Sequence, residues 1–109
     1  MSDRQSPQSF SFAAGESFSL TFDVDQVITG MTARFKARRS PDSSAVLENG
    51  VAGTTVIITG AQQCKVTVHD EVTASLRGTY QYSVEIEDGA GDKSEIAHGY
   101  LTFARNMML

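Results

Sequence analysis

Cysteine and histidine are the side chains of this chain with the strongest capacity for nucleophilic or acid–base chemistry, and they are few. The 109 residues include one cysteine, Cys64, and two histidines. Cys64 and His69 suggest a thiol–imidazole pair, the arrangement that activates a cysteine nucleophile. They are five residues apart, and side chains at an odd spacing in one regular strand point to opposite faces of a sheet. We therefore interpret Cys64 as a buried structural thiol and predict that the protein is not an enzyme.

Metal ligands show no recognisable spacing either. His69 and His98 have no Cys, His or carboxylate at the intervals of a zinc site. Acidic residues surround the glycine-rich segment 88–92, but they lack the full alternation of an EF-hand loop, so a charged hairpin loop explains them better than calcium. The acidic residues are Glu87, Asp88, Asp92 and Glu95. We predict no metal and no cofactor.

Alternation of apolar and polar residues predicts the elements that position these side chains. Phe18, Leu20 and Phe22 alternate with Ser and Thr, and the segment from Tyr80 to Ile86 repeats the pattern. A single helical turn is expected over 70–76, and a slip of the alternation predicts a bulge or bend at 98–99. The predicted strands are 16–24, 31–38, 45–48, 54–59, 64–69, 79–87 and 94–104. About seven short strands favour an all-β fold, a single antiparallel β-sandwich with one short helical turn.

The length and the net charge of the chain limit the number of domains and the classes of partner. A chain of 109 residues fits one domain. We predict a flexible N-terminal arm over 1–10, the sandwich over 11–104 and a C-terminal tail over 105–109. The net charge of −4 argues against a nucleic-acid partner, which needs a basic face. The cluster Arg34, Lys36, Arg38 and Arg39 alternates along a strand, so we favour a solvated sheet face over a phosphate site.

The compartment is inferred from cysteine usage and hydropathy. One cysteine cannot form an internal disulfide, which fits folding in a reducing cytosol. The first residues lack the apolar region of a signal peptide, and no apolar run approaches the roughly 20 residues that cross a bilayer. We therefore expect neither export by the general route nor a membrane partner.

Several motifs, taken in order along the chain, resemble a broad class of β-sandwich and one particular module within it. Gly78 followed by Tyr80 resembles the corner tyrosine of immunoglobulin-like sandwiches. The segments 15–22 (GESFSLTF), 28–36 (ITGMTARFK), 72–82 (VTASLRGTYQY) and 96–103 (IAHGYLTF) together resemble a β-sandwich module of tailed-phage and prophage structural proteins, similar to the N-terminal domain of baseplate upper proteins. Ser83 and the segment 106–109 depart from that pattern.

The resemblance implies a non-enzymatic virion structural protein that attaches to a phage tail or baseplate. One alternative is a capsid decoration protein, and another is a soluble sandwich module that binds a carbohydrate or other ligand. The implied partners are other virion proteins, with the chain as a homo-oligomer or in many copies, made in the host bacterial cytoplasm and located in the virion. We predict docking through the apolar end Met107, Met108 and Leu109, with Arg34, Lys36 and Arg38 as a complementary charged face.

Overall fold

A computed structural model describes residues 8–51 and 53–105. This part of the chain forms eight strands and one helical turn. They are β1 (Phe10–Ala13), β2 (Phe18–Asp23), β3 (Thr32–Arg38), β4 (Ala45–Glu48), β5 (Thr54–Gly60), β6 (Gln63–Val68), α1 (Asp70–Thr73), β7 (Gly78–Glu87) and β8 (Lys93–Ala104). The predicted strands are all present, with ends displaced by at most two residues, and the predicted helical turn is present but ends three residues earlier than expected.

Two sheets pack face to face. One has five strands in the order β1-β8-β7-β3-β4, and the other has three in the order β2-β6-β5. Neighbouring strands are antiparallel except β1 and β8, which are parallel. A three-stranded sheet opposite an extended sheet that contains the last two strands is the arrangement of immunoglobulin-like sandwiches. The predicted fold class is therefore confirmed.

Strand β1 is the element that the sequence interpretation missed. Its four residues are too few for alternation to stand out, and part of it was assigned to a flexible arm. Phe12 stacks on Phe18 with ring centroids 4.2 Å apart, and Phe10 lies edge-on to Phe22 at 6.4 Å. These aromatic contacts, made with the other sheet, hold the short strand in place. The division at residues 10/11 and 104/105 stays a prediction, and residues 1–7 lie outside the described part.

The core is built from the inward residues of both sheets. Tyr82 on β7 occupies the position two residues after the corner tyrosine, where antibody domains carry the second cysteine of their inter-sheet disulfide. Here its ring packs 6.0 Å from Phe22 on β2 and 6.2 Å from Phe35 on β3. Aromatic packing thus joins the sheets at the place where a disulfide joins them in antibody domains.

Tyr80 forms the predicted corner. Its side chain is buried, and its hydroxyl oxygen accepts a hydrogen bond from the backbone N–H of Arg77 at 3.2 Å. The Arg39 guanidinium lies over the ring, 4.5 Å from its centroid, and also donates to the hydroxyl at 2.8 Å. The tyrosine therefore fixes the connection from α1 to β7, as the turn glycine Gly78 and the following alternation predicted.

The helical turn α1 closes the end of the sandwich below that corner. The Thr73 side chain is fully buried, and its hydroxyl accepts a hydrogen bond from the Gly15 N–H at 3.0 Å. The same hydroxyl donates to the carbonyl of Glu16 at 3.0 Å. Because both contacts are to the segment between β1 and β2, α1 ties that loop to the connection from β6 to β7.

The predicted bulge at 98–99 lies instead at Ile96. Val84 pairs with Ala97 and Glu85 pairs with Glu95, so Ile96 is the extra residue of β8. Gly99 has a different role: a Cβ there would overlap the backbone of Gln8. The alternation slips because one residue is inserted, and the glycine is needed because the segment before β1 passes close to it.

Candidate functional site

The outer face of the five-stranded sheet is the surface that we consider as the candidate site. It forms an open groove of about 760 Å³ across β3, β7 and β8. The outward side chains that line it are charged, polar and aromatic: Arg34, Lys36, Arg38, Gln81, Ser83, Glu85, Lys93, Glu95, His98 and Tyr100. We call this surface, together with Val46 and Glu48 on β4 and Glu87 on β7, the outer face.

Cationic side chains form one column of the outer face, along β3. The structure brings the predicted docking residues Arg34, Lys36 and Arg38 together there. Arg34 Nη2 lies 2.7 Å from Glu87 Oε1, and Lys36 Nζ lies 3.6 Å from Glu48 Oε2. Arg38 makes no ion pair within the described residues and donates only to the Pro41 carbonyl, at 3.4 Å. A column whose cations are largely paired with carboxylates is a solvated sheet face, as predicted, and offers little free charge to a phosphate.

Carboxylates and hydrogen-bonding groups form the neighbouring columns, along β7 and β8. Glu85 lies directly opposite Arg34 in the sheet, yet its carboxylate has no ion pair among the described residues. Glu95 accepts a hydrogen bond from the Ser83 hydroxyl at 2.7 Å, and its other oxygen lies 3.3 Å from His98 Nδ1. The column on β3 is therefore mainly positive, and the columns on β7 and β8 are mainly negative. Among the described residues, Arg38 on β3 and Glu85 on β7 have no ion pair.

Two exposed apolar side chains flank these columns. Tyr100 on β8 is 47% exposed, and Val46 on β4 is 43% exposed. Tyrosine and arginine together are typical of protein-binding surfaces, because they combine apolar area with hydrogen-bonding capacity. Sequence reasoning did not single out Tyr100. The signal was present, since Tyr100 alternates with the inward residues Leu101 and Gly99.

Arg39 does not belong to this face, although it was grouped with the cationic cluster. Its guanidinium donates to the Arg77 carbonyl at 2.7 Å as well as to the Tyr80 hydroxyl. The alternation that carries Arg34, Lys36 and Arg38 outward ends with β3 at Arg38, so Arg39 follows a different direction. Arg39 is therefore part of the corner and not of the groove.

Cys64 and His69 are separated as predicted. Cys64 is fully buried in β6, and the loss of hydration raises the pKa of its thiol to about 11. His69 is exposed at the start of α1. A neutral, buried thiol cannot act as a nucleophile, so the candidate pair does not form a catalytic dyad.

The acidic loop after β7 satisfies its own hydrogen bonds. Asp88 Oδ1 accepts from the backbone N–H groups of Ala90 at 2.9 Å and Asp92 at 3.0 Å. The Asp88 N–H donates to the Asp92 carbonyl at 3.0 Å. These contacts close a hairpin loop, in agreement with the interpretation favoured above. Residues 8–51 and 53–105 contain no group of three or more His, Cys, Asp or Glu side chains placed to hold a metal ion.

The predicted apolar docking end, Met107, Met108 and Leu109, lies outside the described residues and stays a prediction. Within the described part, no helix is long and apolar enough to cross a membrane.

Comparison with known proteins supports the fold and corrects the predicted role. No protein-family model and no curated protein match the chain. The structure of the NK cell receptor NKp44 matches with a TM-score of 0.60 at 14% identity, covering 92% of this chain and 100% of that one. The ZIG-8 IG1 homodimer matches with 0.54 at 12% identity (96% and 85%), and the Ig1 domain of mouse SynCAM 2 with 0.51 at 17% identity (90% and 92%).

These structures show the fold of an immunoglobulin-like domain and overturn the virion assignment. They are domains of cell-surface receptors and adhesion molecules, and nothing links this chain to phage tail or baseplate proteins. The predicted tail, baseplate and capsid roles and the virion location are therefore wrong. The comparisons do not support virion partners, and the alternative of a carbohydrate-binding module gains no support. The resemblance misled because its motifs mark the opening strand, the corner and the closing strand, which sandwiches of many functions share.

These comparisons support a general class of function and no specific role. Receptor and adhesion domains of this kind are generally not enzymes. One of the matching structures is a homodimer, and another is a ZIG-8–RIG-5 IG1–IG1 heterodimer with a TM-score of 0.52. This fits a protein–protein interaction module.

Proposed function

We propose that this protein is a recognition module that binds another protein through the outer face. The observation that carries the proposal is the composition of that face, where exposed Tyr100 and Val46 flank a groove lined by arginine, lysine and carboxylate side chains. A protein partner can match apolar area and charges of both signs at once. The immunoglobulin-like homodimer and heterodimer among the matching structures support the same class of function.

The other large face of the sandwich makes a weaker candidate. The outward residues of the three-stranded sheet are mainly Ser and Thr, and Ser19 and Thr67 lie 3.4 Å apart, oxygen to oxygen. Ile57 is exposed there, and Lys65 is the cation beside it. This face therefore supplies a matched control surface.

The test is a binding comparison between face variants. The chain is immobilised, and proteins retained from an extract of the source organism, the chain itself included, are quantified by mass spectrometry. We expect at least one protein to be retained by the wild type and by Lys65→Glu, and to fall at least tenfold with Lys36→Glu/Tyr100→Ser. Retention that is equal for all three chains, or that falls equally with Lys65→Glu, would contradict the proposal.

A further inference from the structure

The charges of the outer face balance, although the chain as a whole is acidic. The face carries four cationic side chains, Arg34, Lys36, Arg38 and Lys93, and four carboxylates, Glu48, Glu85, Glu87 and Glu95. The net charge of −4 therefore resides on the rest of the molecule. Two copies of an acidic chain repel each other at most surfaces, but not where each presents a neutral face.

The arrangement of these charges is also self-complementary. In the sheet, Arg34 lies opposite Glu85, Lys36 opposite Ser83 and Arg38 opposite Gln81. A two-fold axis parallel to the strands and midway between β3 and β7 would place β3 of one copy over β7 of the other at the same height. Each β3 cation would then face, on the second copy, the residue that is its own cross-strand partner.

The flanking strands agree with this axis. It also exchanges β4 with β8, so that Glu48 of one copy would face His98 of the second, because both lie in the row of Lys36 and Ser83. In the next row, that of Arg38 and Tyr100, the β4 residue is Ala45, so Tyr100 would approach Ala45 and the neighbouring exposed Val46 of the second copy. These contacts lie four residues along β3 from the Arg34–Glu85 pairs and add apolar area to the same face.

The other simple orientation is unfavourable. A two-fold axis across the strands, at the row of Lys36, would place Lys36 over Lys36 and Arg34 over Arg38 of the second copy. Like charges at such a contact cost binding free energy. The charges therefore select the axis parallel to the strands.

We propose that the outer face binds a second copy of this chain about a two-fold axis parallel to the strands, with Arg34 of each copy paired with Glu85 of the other. This inference rests on the proposed function and names its partner. Arg34 has donors for both its own Glu87 and a second carboxylate. Glu87 Oε1 is enclosed and lies 2.7 Å from Arg34 Nη2, so the intramolecular pair engages one guanidinium nitrogen and leaves the other donors for a second carboxylate.

The test is a charge exchange followed by sedimentation equilibrium of the full chain from low micromolar to millimolar concentration. Arg34→Glu alone and Glu85→Arg alone each place like charges at both symmetric contacts, so we expect each to weaken the homodimer at least tenfold. An equimolar mixture of the two variants restores opposite charges at both contacts and should dimerise as tightly as the wild type. Lys65→Glu, on the other sheet, should change nothing.

Each outcome separates this inference from the proposed function. A wild-type chain that stays monomeric throughout the range overturns the second copy as partner, while the binding comparison above still tests the face. Stronger association of Arg34→Glu would show the axis across the strands and overturn the proposal. If either variant melts at a lower temperature than the wild type, Arg34→Gln and Glu85→Gln are used instead. We expect each of these to weaken the homodimer at least threefold. Unchanged association would overturn the pairing of Arg34 with Glu85.

Discussion

The two faces of strand β7 show how one segment serves two purposes in this molecule. Its inward side chains, Tyr80, Tyr82 and Val84, are buried and occupied by contacts within the chain. Its outward side chains alternate with them, and Glu85 among these has no ion pair in the described part of the chain. Inward side chains that are packed within the chain stabilise the domain, and outward side chains that are available to a partner provide a recognition surface.

The difference teaches that the interior and the outer face should respond to different perturbations. The interior depends on uncharged groups and close packing, so ionisation or one added methyl group damages it. The outer face holds solvated charges, so its substitutions should change binding more than the free energy of unfolding. The following predictions test the interior side of that contrast, from the largest expected effect to the smallest.

Alkaline pH should unfold the protein through its interior. Burial raises the pKa of Tyr82 from 10.0 to about 12 and that of Cys64 from 9.0 to about 11. Both groups stay neutral in the folded state and ionise more easily in the unfolded state. Their contribution to the free energy of unfolding is therefore complete below pH 9 and is lost as the pH rises from 9 to 12. Each contributes about 3 kcal/mol to that loss. Urea unfolding at pH 8 to 12 measures it, and the Cys64→Ala/Tyr82→Phe variant should lose less; equal losses would contradict the assignment.

Gly99→Ala should destabilise the domain by about 2 kcal/mol, because the new Cβ would force β8 and the segment before β1 apart. That separation breaks the hydrogen bonds from the Gln8 N–H to the His98 carbonyl, 2.9 Å, and from the Tyr82 hydroxyl to the Gln8 carbonyl, 2.8 Å. Gly89→Ala is the matched control, since a Cβ there meets nothing within 4 Å. Equal melting temperatures for the two variants would show that the close approach contributes no stability.

Tyr80→Phe should destabilise the domain by about 1 kcal/mol, since it removes one acceptor shared by the Arg77 N–H and the Arg39 guanidinium. The ring stays in place, so the core volume is conserved. Tyr100→Phe provides the control, because that hydroxyl lies on the exposed outer face. Chemical denaturation of both variants measures the difference, and a larger effect for Tyr100→Phe would reverse the proposed division between interior and surface.

Much of the fold could be predicted because local patterns carry it. Alternation placed seven of the strands, and the spacing from Gly78 to Tyr80 identified the corner. The sequence does not reveal β1, because a four-residue strand is stabilised by contacts with distant residues such as Phe18 and not by its own pattern. The bulge was placed three residues away from Ile96, since a slip in alternation does not show which residue is inserted.

The candidate site was less accessible to sequence reasoning than the fold. Arg34, Lys36 and Arg38 could be placed on one face, because they alternate along a single strand. Their relation to Glu85, Glu95 and Tyr100 depends on which strands are neighbours and in what register, and both follow from long-range pairing. The function was wrongly assigned for a related reason: the motifs describe the positions that fold the sandwich and not the side chains that face outward.

The parallel pairing of β1 with β8 has a mechanical consequence. Phe10 lies beside Leu101 and Ala13 beside Ala104, so the strand that begins the sandwich enters at one end of the pair and the strand that closes it leaves at the other. Tension applied between the two ends of the domain would therefore act along these strands and load their hydrogen bonds together, in shear, instead of opening them one after another. The edge of the sheet formed by the four-residue strand β1 is thereby suited to resist extension.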